Sequence, residues 1–212
     1  IAEGLRYLWS HRILKTLGLI LGAQNLLGTA QQAVFVLYAT SDTFGLGLSD
    51  AGVGFLFAVT AAGGFLGSFA SAPIERRLGR TTVLTLSLVM FGASLLIPGL
   101  TRNVAVVAGT GLLAGSAMMW NVITVSLRQR IIPDHLLGRV NSAYRLLGWG
   151  SMPIGAALGG VVAEVIGVRP LFVLTGVLTF LLLIPLRAVI TDRAIAEAES
   201  ADAPPEGAAA PA

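Results

Sequence analysis

Apolar residues run through this chain in long unbroken blocks, and polar residues collect in short segments between them. Six blocks are each close to the roughly 20 residues a helix needs to cross a bilayer of about 30 Å. They cover residues 16–38, 51–73, 82–100, 104–126, 144–166 and 170–190. Stretches such as LTFLLLIPL and VLTLSLVMF are apolar on every face, whereas a barrel strand alternates apolar and polar positions. In lipid every backbone group must be paired within its own segment, which a helix achieves. The pattern therefore predicts an all-α membrane protein with a six-helix transmembrane bundle.

The two ends read differently. Residues 1–15 wind as an amphipathic helix that gathers Leu5, Leu8, Trp9 and Ile13 on one side, with Arg6, His11 and Arg12 elsewhere, as a segment lying at the inner membrane surface does. Residues 191–212 are rich in Ala, Pro and acid, with no large apolar residue after Ile195, so this tail is expected to be disordered.

Composition agrees with the pattern: 55% hydrophobic, 12% charged and a mean hydropathy of +0.81, against the roughly 25% charge of soluble domains. The 14 Lys and Arg divide unevenly among the connections. Arg6, Arg12, Lys15, Arg76, Arg77, Arg80, Arg128, Arg130, Arg139, Arg145, Arg187 and Arg193 fall on one side of the bundle, and Arg102 and Arg169 on the other. Positive residues in short loops mark the cytoplasmic face, so both termini are expected inside. The pI of about 10.0 is explained by topology, because the arginines are spread over short inner segments rather than over one solvated surface binding nucleic acid.

There is no cysteine, which excludes disulfides, thiolate catalysis and Cys-based metal sites. His11 and His135 are far apart and form no metal-binding pattern. No catalytic motif is present, so neither an enzyme nor a cofactor or metal protein is indicated.

Polar residues inside the apolar blocks are informative, because an amide in lipid must face protein or water. The first span holds Gln24, Asn25, Gln31 and Gln32, with 24/31 and 25/32 each seven apart in two adjacent stripes beside Gly28 and Thr29. The fourth holds Trp120, Asn121 and Thr124. The third and sixth hold no Asn, Gln or interior charge. The first and fourth spans are thus expected to face inward, and the third and sixth to lie on the lipid side. Gln24, Asn25, Gln32, Trp120, Asn121 and Thr124 are candidates for a substrate path, with interhelical hydrogen bonding as the other reading. Gly63, Gly67 and Ser71, and Ser151, Gly155 and Gly159, recur every four residues and predict close helix packing. Pro153 should bend the fifth span.

The order of IAEGLRYLWSHRILKTL, a six-span block, APIERRLGRTTVL and SLRQRIIPDHLLGRVNSAYRLLGWGSMPIGAALGGVVAEVIGVRPLF resembles the C-terminal half of a major facilitator superfamily transporter. More narrowly, it is similar to macrolide-efflux and enterobactin-exporter-like drug and siderophore exporters. The resemblance implies twelve spans in two six-helix bundles, with the substrate path between them. This chain is then expected to be part of a longer transporter, residues 1–15 being the end of the linker between halves. Its partners would be the lipid bilayer, the N-terminal six-helix half, a small-molecule substrate and protons, in a bacterial plasma membrane. The alternative is a stand-alone six-span scaffold or assembly partner.

In that family the loop between the second and third helices of a half carries a pattern close to G-x-L-x-D-R-x-G-R. Here Arg77, Gly79 and Arg80 match its end and Gly67 stands for the leading glycine. Arg76 occupies the acidic position, and the acid, Glu75, sits one residue early. The resemblance implies gating for this loop, and topology alone also accounts for its arginines. The second and fifth spans would meet the opposite half, so their small-residue stripes are either a surface between halves or packing within the bundle. Glu164 and Asp50 lie towards the outer ends of their spans, so a proton-carrying carboxylate is expected in the other half. Arg145, one turn into the fifth span, is a candidate inner charge site that can also snorkel to the surface.

Overall fold

A computed structural model describes residues 2–201. The described residues form α1 (Ala2–Ser10), α2 (Arg12–Thr40), α3 (Asp50–Leu78), α4 (Arg80–Leu100), α5 (Val104–Ala114), α6 (Ser116–Ile131), α7 (Asp134–Ile166), α8 (Val168–Leu181), α9 (Leu183–Val189) and α10 (Asp192–Ala201). Six helical stretches are long and apolar enough to cross a membrane: α2, α3, α4, α5 with α6, α7, and α8 with α9. Several outrun the apolar blocks, α7 by ten residues at its start, because helical backbone continues past the point where charge begins. The six-helix bundle expected from hydropathy is the fold.

Single glycines reverse the chain between α3 and α4 and between α7 and α8. Gly79 has φ 77° and Gly167 φ 94°, in the left-handed region that side chains avoid. The fourth and sixth spans are each interrupted. The Gly115 amide donates to the Leu112 carbonyl and the Leu182 amide to the Thr179 carbonyl, a turn tightened by one residue.

Two cores hold the bundle. The inner one joins Leu8, Leu14, Leu84, Leu88, Ile123, Leu127, Tyr144 and Leu186, so it knits α1, α2, α4, α6, α7 and α9 together. The outer one centres on Tyr38 and Phe172, whose rings lie 4.9 Å apart, with Val34, Val53, Leu56 and Val107 around them. Tyr38 Oη donates to the Thr101 carbonyl at 2.9 Å. Arg102 donates to the carbonyls of Gly45 (2.7 Å) and Asp42 (2.5 Å), so one arginine ties two loops at this end together.

The small-residue stripes are used inside this bundle. A Cβ on Gly67 would lie 2.3 Å from the Gly115 carbonyl oxygen, and one on Gly63 2.7 Å from Leu112 Cα. A Cβ on Gly155 or Gly159 would come within 2.2 Å of the Leu26 carbonyl oxygen or 2.1 Å of that of Ala30. Backbones therefore touch along α3 against α5–α6, and along α7 against α2. Ser71 and Ser151 bond back to their own helices, to the carbonyls of Ser68 and Gly148. These contacts use the stripes for packing within the bundle.

Two expectations change. Helix α1 does not simply lie on a surface: Leu8 is fully buried in the inner core, Tyr7 Oη donates to the Ile131 carbonyl, and Glu3 pairs with Arg139. Only Leu5 and Trp9 of its apolar side stay exposed. The tail expected to be disordered begins with α10, which Ile195 anchors in the inner core; residues 202–212 lie outside the described residues. The third span, expected on the lipid side, buries half of its apolar stretch within the bundle, against 17% for α3 and α7.

Candidate functional site

The two cores leave the middle of the bundle open. Along α2 the inner core ends near Ile20 and the outer begins at Val34; along α4 the inner core ends at Leu88. Between them lies a cavity of about 380 Å³ bounded by α2, α3, α4, α5 and α6. Its polar lining includes Gln24, Asn25, Gln31, Gln32 and Asn121, with Trp120 beside them, and its apolar walls include Phe35, Phe57, Phe91 and Met118. Among the described residues no Asp, Glu, Lys or Arg lines it.

Hydrogen bonding divides these polar groups into two sets. Asn25 Nδ2 donates to the Gly148 carbonyl at 2.8 Å, tying α2 to α7. Thr175 donates to Gln31 Oε1 at 3.2 Å, tying α8 to α2. Cavity hydroxyls bond back to their own helices, Thr60 to the Leu56 carbonyl and Ser94 to that of Phe91. Gln24, Gln32 and Asn121 make no side-chain hydrogen bond among the described residues, and the buried Trp120 Nε1 has no acceptor there. Trp120 Nε1 is buried, where an N–H without a partner costs free energy, whereas Gln32 and Asn121 are exposed and keep their amides open.

Of the six path candidates, five line the cavity and Thr124 does not. Thr124 is buried, and its Oγ1 donates to the Trp120 carbonyl at 2.9 Å. Sequence reasoning missed the wall contributed by α3 and α4, whose Phe57, Thr60 and Phe91 carry no amide to mark them. Arg128 was counted with the loop cations, yet it is only 7% exposed. Its Nε donates to the Thr124 carbonyl at 3.2 Å. Arg145 is exposed, its guanidinium carbon 4.3 Å from the centroid of the Trp149 ring.

At the α3–α4 turn, Glu75 Oε1 accepts from Arg80 Nε at 2.9 Å, so the shifted acid pairs across Gly79 with the closing arginine of the pattern. Arg76 and Arg77 are exposed beside it, and Thr81 donates to Asp192 Oδ1 at 2.6 Å, joining this turn to α10.

The sequence matches the family model of the Major Facilitator Superfamily over residues 20–210. The chain belongs to that superfamily. It is 31% identical over 179 residues to the multidrug efflux pump Tap of Mycobacterium tuberculosis (strain ATCC 25618 / H37Rv), covering 81% of this chain and 40% of that protein. It is 26% identical over 178 residues to the Tap pump of Mycolicibacterium fortuitum, covering 81% and 41%. The chain thus spans about two-fifths of the length of the curated relatives it matches.

Proposed function

We propose that this bundle is the C-terminal half of a major facilitator exporter that moves small amphipathic compounds out of a bacterial cell by alternating access. The observation that carries the reading is the cavity: uncharged, with amide groups and an indole N–H left unpaired among apolar and aromatic walls. Such a lining offers donors and acceptors without selecting a charge, which suits a range of drug-like molecules. The relatives' name, multidrug efflux pump, supports the same substrate class.

In this reading the N-terminal six-helix half closes the open side of the cavity. Helices α3 and α7 carry the rings and side chains left uncovered for it or for lipid, among them Phe69, Trp149 and Ile154. Helices α1 and α10 lie on the cytoplasmic side, with the α3–α4 turn and its Glu75–Arg80 pair at the inner gate. A coupling proton is carried by a carboxylate of the other half.

The test is export of several unrelated compounds by Gln32→Leu and Asn121→Leu in the complete transporter at matched membrane abundance. A shifted substrate profile is expected. Asn25→Leu, which breaks the bond to Gly148, should instead lower abundance or thermal stability. An unchanged profile for both Gln32→Leu and Asn121→Leu removes the cavity from the substrate path.

A further inference from the structure

Adjacent glycines on α3 differ in what they meet. Gly63 is held against α5 by the backbone contact described above, where a Cβ has no room. A Cβ on Gly64 would meet only Met118 Cγ, at 3.8 Å, an ordinary contact. Helix packing accounts for the first glycine and not for the second. The space at Gly64 belongs to a second cavity, about 560 Å³, whose wall also includes Phe57, Phe65, Ser68 and Met118.

This lobe adjoins the amide cavity: Gln32, Phe57, Thr60, Ala114 and Met118 line both. Its chemistry is different. The Phe65 ring is 64% exposed and the Phe57 ring 40%, and with the Met118 thioether they form an aromatic, polarisable wall. No charged side chain among the described residues lines it. A charged group placed there would lose its water without gaining a counter-ion, whereas a flat apolar group would gain dispersion and ring contacts.

We propose that the lobe is a second subsite that takes the flat apolar part of the same neutral molecule whose hydrogen-bonding end is held by Gln24, Gln32 and Asn121. Gly64 sets how large that part can be. The inference rests on the amide cavity being a substrate site, and the five residues that line both spaces are what assign the lobe to the same ligand.

The test uses the complete transporter in detergent and two neutral probes with one polar end, benzamide and biphenyl-4-carboxamide, with calorimetry as readout. The second ring should tighten binding about tenfold in the unaltered protein. Gly64→Leu, which fills the lobe and favours the helix, should abolish that ratio and leave benzamide within about twofold of its original Kd. Phe65→Ala, at an exposed ring, should reduce the ratio about threefold and keeps the lobe readable should Gly64→Leu misfold. Asn121→Leu should weaken both probes equally. A ratio near one in the unaltered protein, or a ratio that survives both lobe variants, overturns the second subsite and leaves the amide cavity standing when Asn121→Leu still weakens binding. Failure of either probe to bind, or indifference of both to Asn121→Leu, overturns the amide cavity and the lobe with it.

Discussion

The guanidinium carbon of Arg128 lies 3.9 Å from the centroid of the Tyr144 ring, in the inner half of the bundle. Both residues are buried, and no carboxylate among the described residues pairs with the arginine. A guanidinium withdrawn from water needs compensation, and here the ring face and the Thr124 carbonyl supply it. The Tyr144 hydroxyl is buried without a partner, so the ring contributes and the hydroxyl does not. Tyr144→Phe should leave thermal stability within about 0.5 kcal/mol, because an unpartnered hydroxyl costs rather than helps. Tyr144→Leu should lower it by at least ~2 kcal/mol, the size of a desolvated cation–π contact. Equal behaviour of the two variants in a melting experiment on the purified protein would show that the ring face is not what holds Arg128.

Backbone contact between helices makes a second, sharper contrast. Gly159→Ala places a methyl group 2.1 Å from the Ala30 carbonyl oxygen, and Gly67→Ala one 2.3 Å from that of Gly115. In neither case is the clashing atom a movable side chain, so the helices must separate. Each change should cost about 1–3 kcal/mol, as overpacking does, and reduce the monodisperse peak in size-exclusion chromatography. Gly160→Ala, with nothing within 4 Å of its Cβ, should be neutral or stabilising by up to about 1 kcal/mol. Loss of the peak for Gly160→Ala as well would point to a general intolerance of α7 rather than to this contact.

How much of this was legible in the chain depends on whether a residue's type betrays its surroundings. Gln24, Gln32 and Asn121 stand out because amides in an apolar block have few reasons to be there, and the structure gathers them at one cavity. Thr124 stood out for the same reason, but a helical hydroxyl can satisfy itself on its own backbone, and it does. Phe57 and Phe91 line the cavity too, yet an apolar side chain in an apolar span looks the same whether it faces lipid, core or pocket. Arg128 was hidden by its neighbours: a cation near a run of loop cations counts towards topology, and nothing local signals that Tyr144 lies across from it. The glycine periodicity was readable, while the choice of packing partner required the fold.

Orientation can be tested with the exposed positions Thr43, in the loop after α2, and Leu78, at the end of α3. The chain has no cysteine of its own, so a single substitution gives an unambiguous site. With twelve of 14 Lys and Arg on the side of Leu78, that side should be cytoplasmic. Thr43→Cys should react with a membrane-impermeant maleimide added to intact cells, and Leu78→Cys only after permeabilisation. The opposite pattern reverses the assignment of both ends.

Helix α10 shows what a single apolar residue can do in a polar segment. Its sequence DRAIAEAESA is mostly Ala and charge, and the exposed Arg193–Glu197 pair one turn apart adds only ~0.5 kcal/mol or less. A helix of this length is marginal in water. It is held by tertiary contacts instead: Ile195 is 4% exposed in the inner core, Ala194 and Ala198 pack against that core, and Asp192 accepts from Thr81 at the start of α4. Burying Ile195 is worth about 1.5–3 kcal/mol, the largest of these contributions. Ile195→Asp should therefore release the helix as a unit and speed amide hydrogen exchange across 192–201, leaving α2 and α7 protected as before. Thr81→Val, which removes only the hydroxyl contact, should raise exchange there about fivefold, the equivalent of one net hydrogen bond at ~1 kcal/mol. If Ile195→Asp leaves exchange in 192–201 unchanged, the docking of α10 on the inner core is wrong, and the protection must come from the helix itself.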